Sequence, residues 1–307
     1  MNVSNLANNI GKMNNITDLD LVLEGGCMNG AYEIGGLLLI KELENKNKIN
    51  VSRISGTSIG ALVGFLYLTD NLNYYVESYK KMRVSFQTSL KMDCLRVFLN
   101  DICLTVSPKT FEYMRSNILF VKYYDVNKGC FILKDNYCNV EEMVSTILKS
   151  CHIPYLINGD PYFIDDTGNY LDGGIPFIFK PDIERASTKR VLYMKLTRLT
   201  KISGMFNVRN EEIIEGRILE GLLDTYNFLL KGYTTPMCSY IEDWGRLNIA
   251  MYNIYSFIYN IIIRVFIHSR SFVLFISPTV KKHTPYNHFK PSLIKVYESI
   301  IRYMVFN

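Results

Sequence analysis

Cysteines at metal-binding or redox spacing are missing from this chain. Its seven cysteines, Cys27, Cys94, Cys103, Cys130, Cys138, Cys151 and Cys238, are odd in number and contain no C-x-x-C. That argues against a disulfide framework and against a zinc site, and it suits a reducing, cytoplasmic compartment. Charge of one sign is scarce as well: 34 Lys and Arg against 29 Asp and Glu leave a net charge of +5. Such a balance suits association with an anionic surface. With no Lys/Arg cluster interleaved with aromatics, it speaks against nucleic acid as a partner. The stretch from Met1 to Asn15 is polar and Asn-rich, and it lacks the basic and apolar regions of a secretory signal. An apolar run of spanning length is also lacking. The uncharged stretch Leu247 to Ile263 contains Asn248, Asn253 and Asn260 and falls short of a normal membrane-crossing helix. Histidine is limited to His152, His268, His283 and His288. No Gly-Lys-Ser/Thr follows the glycines at 25–30, so a phosphate-binding P-loop is excluded.

What is present is a globular composition, 48% apolar and 21% charged over 307 residues. That allows one large domain, or one domain with an appendage. The most informative segment is Gly56-Thr57-Ser58-Ile59-Gly60, which fits G-x-S-x-G, a serine held on a sharp turn between strand and helix. Residues 48–54 alternate polar and apolar, as a strand does, and Ala61 to Leu66 read as a buried helix start. Without a Cβ, Gly56 and Gly60 let strand and helix approach closely. Ser58 then stands near the positive end of the helix.

Two further motifs share the order along the chain. Glu24-Gly25-Gly26-Cys27-Met28-Asn29-Gly30 follows the apolar run Leu19 to Leu23, and Leu171-Asp172-Gly173-Gly174 lies downstream. A Gly-rich loop after a first strand, a serine elbow and an Asp-Gly-Gly, in that order, resemble the patatin-like phospholipase family over about Leu19 to Thr197. Cys151-His152-Ile153-Pro154 and Ile175-Pro176 agree with that resemblance. It implies a three-layer α/β/α sandwich with a helical C-terminal extension. It also implies a lipid acyl hydrolase with a lipid ester substrate, working through a Ser-Asp dyad without histidine, metal or cofactor. Carried over by motif, Ser58 is the nucleophile, Asp172 the base, and the backbone at Gly25, Gly26 and Cys27 the oxyanion hole. The loop departs from the family's Gly-Gly-Gly-x-Lys/Arg-Gly in having Cys27 at the third glycine and Asn29 at the basic position. A side chain at Cys27 suits backbone donation provided its dihedrals are not left-handed. These departures leave room for a catalytically weak lipid-binding relative.

A serine hydroxyl needs a base, and an aspartate with an ordinary pKa of about 4 serves better once burial raises it. A Ser-Asp-His triad using His283 or His288 is the alternative, although both lie in the charged segment 281–285 that reads as an exposed loop. Asp165 and Asp166 compete with Asp172 but sit in a turn-forming Asp-Asp-Thr-Gly. The thiol of Cys27 is a candidate redox handle, or simply a small residue filling space.

Along the chain, residues 1–18 read as a flexible leader, 19–200 as the hydrolase domain and 201–307 as a helical extension. Strands are expected at 19–23, 49–54, 129–133 and 191–196. Helices are expected at 30–44, 59–67 and 140–150, the last capped by Asn139. Residues 72–120 read as short helices flanking the site, either an ordinary insertion or a lipid-contacting lid. In the extension, Ile254, Phe257, Ile258, Ile261, Ile262 and Val265 share one helical face, opposite Asn253, Ser256, Asn260, Arg264 and His268. Two readings of that face stand open: burial against the α/β core, and peripheral membrane contact.

Overall fold

The computed structural model describes residues 3–11, 18–89, 91–180, 189–197 and 214–280, together with 295 and 299; side chains beyond 268 in the last long segment are not described. Eight strands form one mixed sheet. They are β1 (Asp18–Leu23), β2 (Asn50–Gly56), β3 (Ser116–Asp125), β4 (Cys130–Asn136), β5 (Phe163–Asp165), β6 (Gly168–Asp172), β7 (Lys189–Met194) and β8 (Cys238–Tyr240). The order is β5-β6-β3-β2-β1-β7-β8, with β4 also on β3. The central strands β3, β2, β1 and β7 run parallel, whereas β4, β6 and β8 pair antiparallel to their neighbours.

Nine helices are described: α1 (Val3–Asn9), α2 (Gly30–Asn45), α3 (Ile59–Leu68), α4 (Leu72–Ser89), α5 (Cys94–Cys103), α6 (Pro108–Met114), α7 (Val140–Ser150), α8 (Glu215–Lys231) and α9 (Arg246–Val280). The period-2 alternation of each strand sends its side chains to two faces. Leu19, Leu21, Leu23, Ile54, Leu119, Val121, Leu192 and Met194 join the main core with α2, α3 and α7. On the other face Val22, Phe120, Val191 and Tyr193 pack with Phe179 and Trp244. Beside them Tyr124 and Leu171 pack with Ile263 of α9. Helices therefore flank a central sheet on both faces, the three-layer α/β/α architecture expected. The crossing of α2 and α8 is close because it is built on glycine: a Cβ at Gly35 would stand 1.9 Å from the Ile218 carbonyl oxygen, and one at Gly221 1.9 Å from that of Tyr32.

Three expectations need correction. Residues 3–9 of the leader form α1, whose Ala7 is fully buried in the main core. Its C-terminal carbonyls at Ala7 and Ile10 accept from Lys48 Nζ. Residues 72–120 hold three helices, one of them 18 residues long, and half of β3. Ten residues of β3 escaped notice because a strand buried on both faces shows a continuous apolar run rather than alternation. In α9 the reading that buries the isoleucine face against the core fails, because that face is turned outward. Phe257 is 67% exposed and Ile254, Ile258 and Ile261 are 44–49% exposed, while Ile263 is 5% exposed. The face that meets the sheet runs through Tyr252, Tyr259, Ile263 and Phe266. Aromatic rings with one polar atom can seat on a sheet while their hydroxyls find partners, and helical spacing alone does not show which of two such stripes is covered.

Candidate active site

The turn after β2 places Ser58. Its backbone takes φ 53° and ψ −131°, and it caps α3. A positive φ at a non-glycine residue is strained by roughly 1 kcal/mol or more and is held only where its surroundings over-determine it. Here they do. Ser58 N–H donates to Ser150 Oγ at 2.9 Å, Ser150 Oγ donates to the Lys122 carbonyl at 2.7 Å, and Thr57 Oγ1 reaches the same carbonyl at 3.5 Å. The turn is thereby tied to β3 and to the end of α7.

The sheet brings Asp172 to the same place. Gly56, the last residue of β2, pairs with Val121 of β3. Asp172, the last residue of β6, pairs with Tyr123 two residues further on. Because β4 occupies the opposite edge of β3 over residues 121–125, β2 and β6 meet end to end along one edge, and Ser58 and Asp172 face each other across the junction. The Asp172 carboxylate accepts hydrogen bonds from Gly174 N–H at 2.6 Å and from Tyr259 Oη at 3.3 Å, and the Ser58 hydroxyl beside it favours its ionised form. Its own N–H donates to the His152 carbonyl at 3.0 Å. Burial raises the Asp172 pKa above the ordinary carboxylate value; those hydrogen bonds and the nearby Lys122 cation pull against it without cancelling it. Gly173 and Gly174 are required by space: a Cβ would meet the Lys122 carbonyl oxygen at 2.0 Å at the first and the Tyr259 ring at 2.1 Å at the second.

The Gly-rich loop completes the site. A Cβ at Gly25 would lie 3.1 Å from Ser58 Cβ and 3.4 Å from the Gly174 carbonyl oxygen, so Gly25 abuts the serine. Among the described residues, none accepts a hydrogen bond from the N–H groups of Gly25, Gly26 or Cys27. Behind them, the buried Glu24 carboxylate accepts from Leu196 N–H at 2.6 Å, Thr197 N–H at 2.7 Å and Tyr193 Oη at 3.0 Å, pinning the loop to the end of β7. Cys27 has φ 48°, the left-handed conformation that glycine adopts freely and that a side chain opposes. The condition under which a cysteine suits this position is therefore not met, and the loop carries strain there. Burial and the Asp172 charge push the Cys27 thiol up to about 12, which leaves little thiolate for redox chemistry.

Other candidates lie elsewhere. His152 is fully buried, its Nε2 3.2 Å from the Asp160 carbonyl oxygen. Burial lowers its pKa to about 4, so the ring is neutral at physiological pH. His268 is exposed near the end of the described side chains, and His283 and His288 lie outside the described residues. Asp165 organises its own turn, accepting from Thr167 N–H at 2.8 Å, and pairs with Lys149 at 2.7 Å.

Sequence reading passed over four side chains. Tyr259, from α9, covers Asp172. Lys122 Nζ donates to the Ile175 carbonyl at 2.8 Å, and burial lowers its pKa to about 8 against the pull of Asp172. Ser150 supports the serine turn. Arg217, buried on α8, donates to Asn29 Oδ1 at 3.1 Å, so a guanidinium reaches the loop position that lacks a basic side chain. No local motif marks any of them; each arrives from a distant element.

An apolar cavity opens beside Ser58 and Cys27 beneath α4 and α5, lined by Met28, Ile59, Tyr75, Tyr79, Met82 and Leu95 among others.

No curated protein matches the chain. One solved structure that resembles it is VipD from Legionella pneumophila, 14% identical, covering 74% of this chain and 68% of that one with a TM-score of 0.38. The family model described as patatin-like phospholipase matches residues 21–98, a segment that holds the end of β1, the Gly-rich loop and Ser58 and stops short of Asp172. Over that segment the chain is similar to patatin-like phospholipases.

Proposed function

We propose that the protein hydrolyses carboxylic esters of lipids through Ser58 and Asp172. The observation that carries this reading is a strained serine at a helix N-terminus, facing a buried aspartate and bordered by an apolar cavity. Asp172 takes the Ser58 proton as Oγ attacks the ester carbonyl. The resulting oxyanion is held by backbone N–H groups of Gly25, Gly26 and Cys27, each such donor contributing about 3 kcal/mol to the transition state. The tetrahedral intermediate collapses, Asp172 returns the proton to the leaving alcohol, and an acyl-serine remains. Water then attacks with Asp172 again as base, releasing the fatty acid and restoring Ser58. The apolar cavity beneath α4 and α5 lies where the acyl chain would be directed, and the positive end of α3 favours the developing charge.

The test is hydrolysis of a panel of phospholipid and neutral-lipid esters by wild type, Ser58→Ala and Asp172→Asn. Each substitution is expected to lower turnover by on the order of 10³-fold, since the two groups act as a unit. A fluorophosphonate probe should label Ser58, and chelators should have no effect. A second reading, a catalytically weak lipid-binding protein, is favoured by the left-handed Cys27. It expects lipid binding with no hydrolysis that depends on Ser58.

A further inference from the structure

The outward face of α9 has no counterpart in the chemistry above. The sequence expectation that this stretch falls short of a membrane-crossing helix needs correction: over residues 246–268 the helix is long and apolar enough to cross a membrane, with a mean hydropathy of 1.4 in its most apolar window, and only 6% of that window is buried. Leu247, Ile254, Phe257, Ile258, Ile261, Ile262 and Val265 are all exposed. A contiguous apolar face of this kind marks an interaction surface. The opposite face is committed to the sheet. Tyr252 Oη donates to the Pro176 carbonyl at 2.8 Å, Tyr259 Oη reaches Asp172, Ile263 is buried between Tyr124 and Leu171, and the Phe266 ring meets those of Tyr155 and Tyr162 at 6.4 and 6.1 Å. A helix held against the domain from Tyr252 to Phe266 is placed to lie on a bilayer rather than to cross it.

We propose that α9 docks the protein flat on a lipid bilayer through this face and so brings the Asp172 side of the site to the membrane. The proposal rests on the lipid-ester reading above, and three observations select a bilayer as the occupant. The helix covers the candidate site, because Tyr259 on its inward face touches Asp172 while Phe257, Ile258, Ile261 and Ile262 of the same turns face outward. The apolar stretch is free of charge from Leu247 to Ile263 and is bracketed by exposed Arg246 and Arg264, as an interfacial helix meeting anionic headgroups requires. The chain's net charge of +5 has the same sign.

The docking test uses full-length Ser58→Ala protein, which leaves the lipid intact, and flotation with phosphatidylcholine vesicles with and without phosphatidylserine. Wild-type α9 should carry the protein into the vesicle fraction, more so with phosphatidylserine. Phe257→Gln combined with Ile261→Gln should lower the partition coefficient by at least about tenfold per side chain removed from lipid. The melting temperature should stay put, because neither side chain is buried. Failure of the parent protein to float, or equal flotation of the variant, overturns the proposal. So does a fall in melting temperature, which would mean that the chain itself covers this face. Self-association of the parent, seen by sedimentation without vesicles and lost in the variant, would replace the bilayer with a second copy. In the Ser58 form, hydrolysis of a soluble short-chain ester is measured separately from hydrolysis of vesicle lipid, and the ratio of the two should shift against vesicle lipid in the variant. Soluble-ester hydrolysis without flotation sinks the docking alone; flotation without any hydrolysis sinks the enzymatic reading alone.

Discussion

Tyr259 Oη lies 3.3 Å from Oδ1 and 3.2 Å from the carbonyl oxygen of Asp172, so a residue of the C-terminal helix closes over a carboxylate 87 positions earlier. The phenol favours the ionised carboxylate and so opposes the effect of burial. Tyr259→Phe should therefore raise the Asp172 pKa further. In a pH–rate profile the rising limb, where Asp172 loses its proton, should move to higher pH by under about one unit, and turnover on that limb should fall several-fold. These values correspond to about 1 kcal/mol for a long hydrogen bond to a charged group. Unchanged KM with altered kcat distinguishes this from loss of substrate binding. A limb that stays in place would show that the contact is structural only.

Lys122 acts in the same direction from the other side. Its cation lowers the Asp172 pKa and is itself lost as pH rises through about 8. Lys122→Met should move the rising limb upward, as Tyr259→Phe does, and the double variant should move it further than either. If Lys122→Met left the limb unmoved, the charge would not reach the carboxylate.

A raised folded-state pKa has a consequence for stability. Below the ordinary carboxylate range Asp172 is neutral whether the chain is folded or not. As pH climbs through its raised value, the folded form must ionise it in a buried site, and stability is lost. Asp172→Asn should thus abolish most activity yet raise the melting temperature near pH 7, and the gain should vanish near pH 3. A variant less stable than wild type at neutral pH would mean that the carboxylate's hydrogen bonds outweigh its desolvation.

The parts of this site legible in the sequence are those where backbone geometry forces a residue type. Gly25, Gly173 and Gly174 each have a neighbour within 3.1 Å of where a Cβ would stand, and such positions leave a motif. Supporting side chains leave none, because many residues can donate one hydrogen bond from afar; Tyr259, Lys122, Ser150 and Arg217 are of this kind. In the fold, β1, β2, β7, α2, α3 and α7 were readable from period and capping. In α7 Asn139 Oδ1 accepts from Glu142 N–H at 2.7 Å. The central strand β3 hid among aromatics, and in α9 the sequence showed an apolar stripe opposite Asn253, Ser256, Asn260, Arg264 and His268 without marking Tyr252 and Tyr259. The tyrosines took the sheet because their hydroxyls reach the Pro176 carbonyl and Asp172.

Cys27 offers a test of loop strain. Its φ of 48° costs about 1 kcal/mol that glycine would not incur, whereas glycine adds a comparable entropy to the unfolded chain. Cys27→Gly should therefore leave the melting temperature within a few degrees of wild type and keep or raise turnover. Cys27→Val, β-branched in the same conformation, should destabilise by about 2 kcal/mol or more. Equal melting temperatures for the two variants would show that the loop relaxes out of the left-handed conformation.

Gly60 sets the distance between the nucleophile helix and the first strand. A Cβ there would fall 2.5 Å from the Leu23 carbonyl oxygen and 2.9 Å from that of Glu24. Both are backbone atoms of the strand end that leads into Gly25, so no side chain can swing aside. Gly60→Ala must push α3 away from β1, opening the packing of Leu62 and Val63, which are fully buried, and dragging Ser58 from Gly25. The expected cost is about 3 kcal/mol or more, the range of core overpacking with backbone displacement. Gly64→Ala is the control. Its Cβ would meet Ile54 Cγ2 of β2 at 2.9 Å, a side-chain atom that can give way, and the better helix propensity of alanine offsets part of the clash. Chemical denaturation of both should show Gly60→Ala much the less stable. Parity between them would mean that α3 is not held against the end of β1, and that the geometry bringing Ser58 to the Gly-rich loop is wrong.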